Sequence, residues 1–179
     1  MSTLDGDSVS ALLNELGERL AARGIEGEIY VVGGAAMMLA YDRKRITRDI
    51  DAVGNPQVDI DAEVRAMALQ HRDLGPDWLN NRVLPLLPRG IHADQLQLLG
   101  GPGLTVNVAS PRWMLALKAR AARGRRDLDD LWVLCQVLEL RSIDEVWRIC
   151  NEVWGDAMVR EDVLEIVGQD LIDRGLRDY

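Results

Sequence analysis

No apolar run in the sequence reaches the roughly 18–20 residues that a membrane-spanning helix requires, so no membrane partner is expected. Phenylalanine is absent altogether, and cysteine occurs only as Cys135 and Cys150. Both cysteines fall in apolar helical patterns, which reads as buried free thiols rather than a disulfide or a metal pair. The two histidines, His71 and His92, lie in expected loops without partners at a metal-ligand spacing. Basic charge is in deficit: the formal net charge is −8, which argues against nonspecific coating of nucleic acid. The opening residues M-S-T-L-D-G-D-S are acidic where a signal peptide would be basic, so a cytoplasmic protein is expected.

What remains is a chain of 179 residues and 47% hydrophobic content, ordinary for a globular protein and ample for a buried core. Its positive charge is clustered in two blocks, Arg43 to Arg48 and Arg112 to Arg126. Ser8 to Arg23 has the apolar spacing of an amphipathic helix, with Ser8 as a candidate cap and Gly24 at its end. Val58 to Gln70 repeats that periodicity, and Pro76 is expected to open a short helix over Asp77 to Val83. Leu84 to Gly90 reads as irregular. Gln95–Leu99 and Leu104–Val108 read as a hairpin around Gly100-Gly101-Pro102-Gly103. Helices are expected from Pro111, from Asp127, from Ser142 with Glu145 as a capping box, and from Asp156 to Ile172. Trp113, Trp132, Trp147 and Trp154 are expected in the core of this helical part, while Trp78 is less clear.

The chemistry concentrates between Ile29 and Val53. Ile29 to Val32 is a β-branched run that reads as a buried strand, and Gly33 and Gly34 follow it at once. Glycine lets the backbone turn sharply and lets a ligand approach. Ala35 to Tyr41 continues as a helix, so free backbone N–H groups and the positive dipole end face that turn. The basic run Arg43, Lys44, Arg45 and Arg48 comes next, then Asp49-Ile50-Asp51. On a strand from Asp49 to Val53 the two acids would share one face, with Ile50 turned to the core. Such a pair suits a hard cation such as Mg²⁺, which takes carboxylate oxygens together with substrate phosphates. A lone Gly-Gly is more often only a turn, and Asp-x-Asp is often only a solvated strand face.

V-V-G-G-A-A followed by R-I-T-R-D-I-D resembles the core motif of the minimal nucleotidyltransferase fold. It is most similar to bacterial abortive-infection and toxin–antitoxin nucleotidyltransferases and to related small bacterial proteins. W-L-N-N-R-V at Trp78 and S-P-R-W-M-L-A-L-K-A-R-A-A-R-G-R-R-D-L-D-D-L from Ser110 to Leu131 extend the resemblance. It implies an α/β fold: a small mixed-sheet core over residues 1–110 with flanking helices, and a helical part over 111–179 that completes the same cleft. It also implies transfer of a nucleoside monophosphate from an NTP to an RNA, such as tRNA, or to a protein acceptor, with a cognate toxin–antitoxin partner. By resemblance, Gly33, Gly34, Thr47 and Arg48 serve nucleotide binding, and Asp49 and Asp51 are catalytic and hold Mg²⁺. The resemblance also implies that Asn80 faces the cleft.

The second constellation is Lys118 with R-D-L-D-D-L from Arg126 to Leu131. Asp127 and Asp130 are three apart and share a helix face, with Asp129 on a different side. Read from the residues alone, these acids suit a helix start. The resemblance makes Lys118 a contact to the triphosphate, with Asp127 catalytic and Asp130 nucleotide-binding. It also implies a third carboxylate on a later strand, and the matching T-V-N-V offers Asn107 instead. Asn107 and the acidic net charge favour an alternative: a weak or inactive member acting as antitoxin or as a nucleotide- or partner-binding module. A metal-dependent phosphohydrolase using Asp49 and Asp51 is a third class. Lys118→Ala is expected to slow transfer at unchanged thermal stability.

Overall fold

The structure is a computed structural model that describes residues 3–88, 94–155 and 160–178. It divides into two compact units: Met1–Leu87 with Gln95–Ala109, and Pro88–Asp94 with Ser110–Tyr179. The fold is mixed α/β, a mixed sheet with flanking helices followed by a helical part.

The first unit opens with α1 (Gly6–Ala22), whose apolar positions Val9, Leu12, Leu13, Leu16 and Leu20 are all buried. Asp5, not Ser8, is its cap: the Asp5 carboxylate accepts from the Ser8 N–H at 2.9 Å, the reach that a cap needs to the third helical residue. That hydrogen bond holds the Asp5 carboxyl below the usual carboxylate range. Gly24, at φ +71°, ends the chain's first helical run in the left-handed region.

Five strands form one sheet in the order β3-β2-β1-β5-β4. They are β1 (Gly27–Val32), β2 (Ile50–Asn55), β3 (Leu79–Asn80), β4 (Gln95–Gly101) and β5 (Leu104–Ala109). β1 runs antiparallel to β2 and parallel to β5, and β4–β5 is an antiparallel hairpin. One sheet face is wholly apolar: Ile29, Val31, Ile50, Ala52, Leu79, Val106 and Val108 are buried. α1 and α3 (Gln57–Gln70) pack together and against β5 and β2 respectively. Burying each such Val, Ile or Leu stabilises the fold by about 1.5–3 kcal/mol. By strand alternation the opposite face presents Tyr30, Val32, Asp51, Asn80 and Asn107.

Two sequence expectations fail here. Asp77 to Val83 forms no helix; Leu79 and Asn80 instead make β3, parallel to β2 with Leu79 opposite Ile50 and Asn80 opposite Asp51. A contact with a distant strand outweighs the local signal of Pro76. Beyond it, Leu84–Leu86 is a single 3₁₀ turn, while residues 89 and 90 of the expected irregular stretch, and His92, lie outside the described residues. Trp78 is the deeply buried tryptophan, 1% exposed, with its indole N–H donating to the Val64 carbonyl at 3.2 Å. Trp113, Trp132, Trp147 and Trp154 are only half-buried.

The second unit holds α4 (Pro111–Ala121), α5 (Arg125–Val137), α6 (Ile143–Trp154) and α7 (Glu161–Asp173). α4 starts as expected, with Pro111 in its first turn and the Ser110 side chain accepting from the Trp113 N–H. α5 begins two residues before Asp127, which places that acid in its first turn. Ser142 and Glu145 form the capping box of α6. The stretch 156–159 of the expected last helix lies outside the described residues. Cys135 and Cys150 are free and buried, and burial pushes both thiols up to about 12. Among the described residues no helix is long and apolar enough to cross a membrane.

Candidate functional site

β1 runs straight into a helical segment, α2 (Gly33–Ala36) continued by a π-helix over Met37–Tyr41. Val32 is fully extended at φ −132° and ψ −173°, and Gly33 turns at φ +68°. A side chain at Gly33 would be strained by that φ alone. It would also meet Asp51: a Cβ there lies 3.1 Å from the Asp51 Oδ2. The turn therefore requires glycine, and a side chain there would also press on the carboxylate. Asp51 stands there because β2 pairs with β1 in the register Val32 to Asp51. Helices that swell to π geometry recur at functional sites; here the Asp42 N–H reaches back five residues to the Met37 carbonyl at 2.7 Å.

Asp49 is not on the strand, which begins at Ile50. Two interactions hold it in a turn instead. The Thr47 hydroxyl donates to the Asp49 carbonyl at 2.8 Å. Thr47 is itself clamped by a two-way backbone bridge to Leu4, at 2.7 and 2.9 Å. Ile50 rejoins the sheet through its N–H to the Trp78 carbonyl at 2.7 Å and is 0% exposed, so it faces the core as expected. The Asp49 Oδ2 lies 3.5 Å from the Asn80 amide nitrogen. Asn80 is the register partner of Asp51, so Asp49, Asp51 and Asn80 meet on one side of Ile50, beside the Gly33 turn. Both acids are half-buried.

Asn107 does not adjoin this group. Its strand lies beyond β1, and its register partner is Tyr30, two residues before Val32. Strand spacings then put its backbone about 12 Å from that of Asp51. Its amide donates to the Glu28 carboxylate at 2.5 Å. The position beside the acids belongs to Asn80, on a strand too short to show any alternation in sequence. Leu4 likewise gave no signal: a single bridging residue has no pattern.

Of the basic run, Arg43, Lys44 and Arg48 are exposed, and Arg45 pairs with Asp42 at 3.6 Å. Arg48 sits between Thr47 and Asp49, in the turn that carries the first acid. Gly34 is the second residue of α2. Among the described residues no group of three or more His, Cys, Asp or Glu is placed to hold a metal. Two half-buried carboxylates with no softer donor fit Mg²⁺, which keeps water and substrate phosphates as its other ligands.

In the second unit Lys118 joins both expected acids. Its Nζ lies 2.7 Å from the Asp130 Oδ2 and 3.3 Å from the Asp127 Oδ1. The Asp127 Oδ2 also accepts from the Arg123 N–H at 3.1 Å. Asp130 is 1% exposed and the Lys118 side chain 13%, so this is an inward-facing ion pair and not a solvated helix start. Asp129 points elsewhere, to Arg174 at 2.8 Å.

Among solved structures, the chain is similar to an antigenic nucleotidyltransferase-like protein from Paracoccidioides brasiliensis. The TM-score is 0.50 at 14% identity, over 98% of this chain and 97% of that one. The chain has a nucleotidyltransferase-like fold. At that identity the likeness concerns the fold alone. No family model matches the sequence, and no curated protein matches it. Within this nucleotidyltransferase-like fold, the strand-to-helix turn at Gly33 and the acids of the Asp49–Asp51 segment form one group, and Lys118, Asp127 and Asp130 form another.

Proposed function

We propose that the protein is a Mg²⁺-dependent nucleotidyltransferase, moving a nucleoside monophosphate from an NTP to an RNA or protein acceptor. The observation that carries this is the Asp51 carboxylate packed against the Gly33 turn, with Asp49 beside it. A turn that leads into a helix offers unpaired backbone N–H groups to phosphate oxygens, and we assign that role to Gly33 and Gly34. Phosphates at that turn would repel the two acids unless a cation lay between them. Asp49 and Asp51 would hold Mg²⁺, which when bound neutralises phosphate charge and aligns the reacting phosphoryl group.

Thr47 positions Asp49 through its carbonyl, and Arg48 is available to the triphosphate from the same turn. We assign Lys118, whose ammonium Asp127 and Asp130 fix, a part in transfer. In the reaction an acceptor oxygen attacks the α-phosphorus. The bond to the bridging oxygen breaks, pyrophosphate departs with the electron pair, and the acceptor proton passes to solvent. A cytoplasmic setting and a toxin–antitoxin partner belong to the same proposal.

A second reading is a non-catalytic nucleotide- or partner-binding module. The neutral Asn80 beside the two acids favours it. Incubating the protein with Mg²⁺, each α-labelled NTP and RNA or protein acceptors separates the two. Label on an acceptor, lost in Asp51→Asn, supports transfer. Nucleotide binding without any label transfer supports the module.

A further inference from the structure

We propose that Asn80 is a positioning residue that holds Asp49 and limits the site to two carboxylates. The inference rests on reading the Asp49–Asp51 pair as a cation site. Asn80 is 8% exposed and is the register partner of Asp51, so its side chain leaves the sheet on the same side as that acid.

The orientation of its amide is decided by what each end touches. The Asn80 Oδ1 accepts from the Arg82 N–H at 3.1 Å. A flipped amide would set its NH₂ against that donor and leave the backbone N–H unsatisfied. The NH₂ end is therefore the one that faces the Asp49 carboxylate and the Asp77 carbonyl, each at 3.5 Å. A donor in that place steadies a carboxylate, but it cannot ligate a cation.

Two carboxylates carry the charge that balances one divalent ion. Aspartate at position 80 would be nearly isosteric and would turn the donor into a third anionic oxygen ligand. Without a cation that third charge repels its neighbours; with a cation it adds a bond. Alanine would instead release Asp49. The two substitutions therefore act on cation affinity in opposite directions, which a purely structural asparagine would not produce.

The test is titration of wild-type, Asn80→Asp and Asn80→Ala protein with Mn²⁺ alone, following free Mn²⁺ by electron paramagnetic resonance. Thermal unfolding is measured with and without the ion. The expected result is about tenfold tighter binding for Asn80→Asp and severalfold weaker binding for Asn80→Ala. Asn80→Asp should also melt lower than wild type without Mn²⁺ and gain more from its addition. Affinities unchanged in both variants, or shifted the same way in both, would overturn the role of Asn80 while leaving the cation site standing. If wild type and Asn80→Asp both bind no Mn²⁺, the cation-site reading itself fails, and the role of Asn80 with it.

Discussion

Lys118→Ala is the perturbation whose size the structure defines best. The Lys118 ammonium lies 2.7 Å from a carboxylate that is 1% exposed, and its own side chain is 13% exposed. Removing Lys118 takes away the nearest counter-charge of a buried carboxylate that keeps a further interaction, at a cost of up to about 3–5 kcal/mol. For a chain of this size each kcal/mol lowers the melting temperature by about 2–4 °C, so a fall of up to about 20 °C is expected. The expectation from sequence, that stability would not change, is thereby revised. A companion variant isolates the cause: replacing Lys118 by Met and Asp130 by Leu together removes both charges and should restore most of the loss. Thermal unfolding followed by circular dichroism reads both. A fall of less than about 2 °C for Lys118→Ala would refute the buried-pair reasoning. If Lys118 also takes part in transfer, the reaction assayed well below the variant's melting temperature should be slower by a factor on the order of a hundred.

Gly33→Ala should lose nucleotide binding and about 1–2 kcal/mol of stability, because alanine is strained at φ +68° and presses on the Asp51 carboxylate; calorimetry and thermal unfolding check the two effects. Cys135 and Cys150, with thiols pushed up to about 12, should stay unreactive to a thiol reagent at pH 8. Both should react at once in denaturant, and fast labelling of the native protein would contradict their burial.

The parts of this fold that were legible in sequence are those carried by local pattern. Ile29 to Val32 followed by two glycines reads as a strand and a turn from its own residues, and the Ser142–Glu145 box caps its helix through near neighbours alone. The parts that were not legible depend on distant partners. β3 exists because Leu79 and Asn80 pair with Ile50 and Asp51, and nothing local distinguishes them from a helix after Pro76. Asp49 leaves the strand because Leu4 clamps Thr47 from the other end of α1. The site was legible in its residue types but only partly in its neighbours: the resemblance put Asn80 at the cleft, where the register sets it opposite Asp51, but it also put Asn107 where a third acid would stand, and the register sets Asn107 two strands away. Tryptophan burial was misjudged for the same reason, since helical spacing says which face a residue is on and not how much covers it.

The most direct test of the cation–nucleotide site is isothermal titration of each of the common NTPs into wild-type, Asp49→Asn and Asp51→Asn protein, with and without Mg²⁺. The account predicts binding of at least one NTP that requires Mg²⁺ in the wild type and disappears in both variants. Their circular dichroism should remain native, and their melting temperatures should be unchanged or slightly raised, because a like-charge repulsion has been relieved. Mg²⁺-dependent binding that persists unchanged in both variants, or no such binding by the wild type, would contradict it.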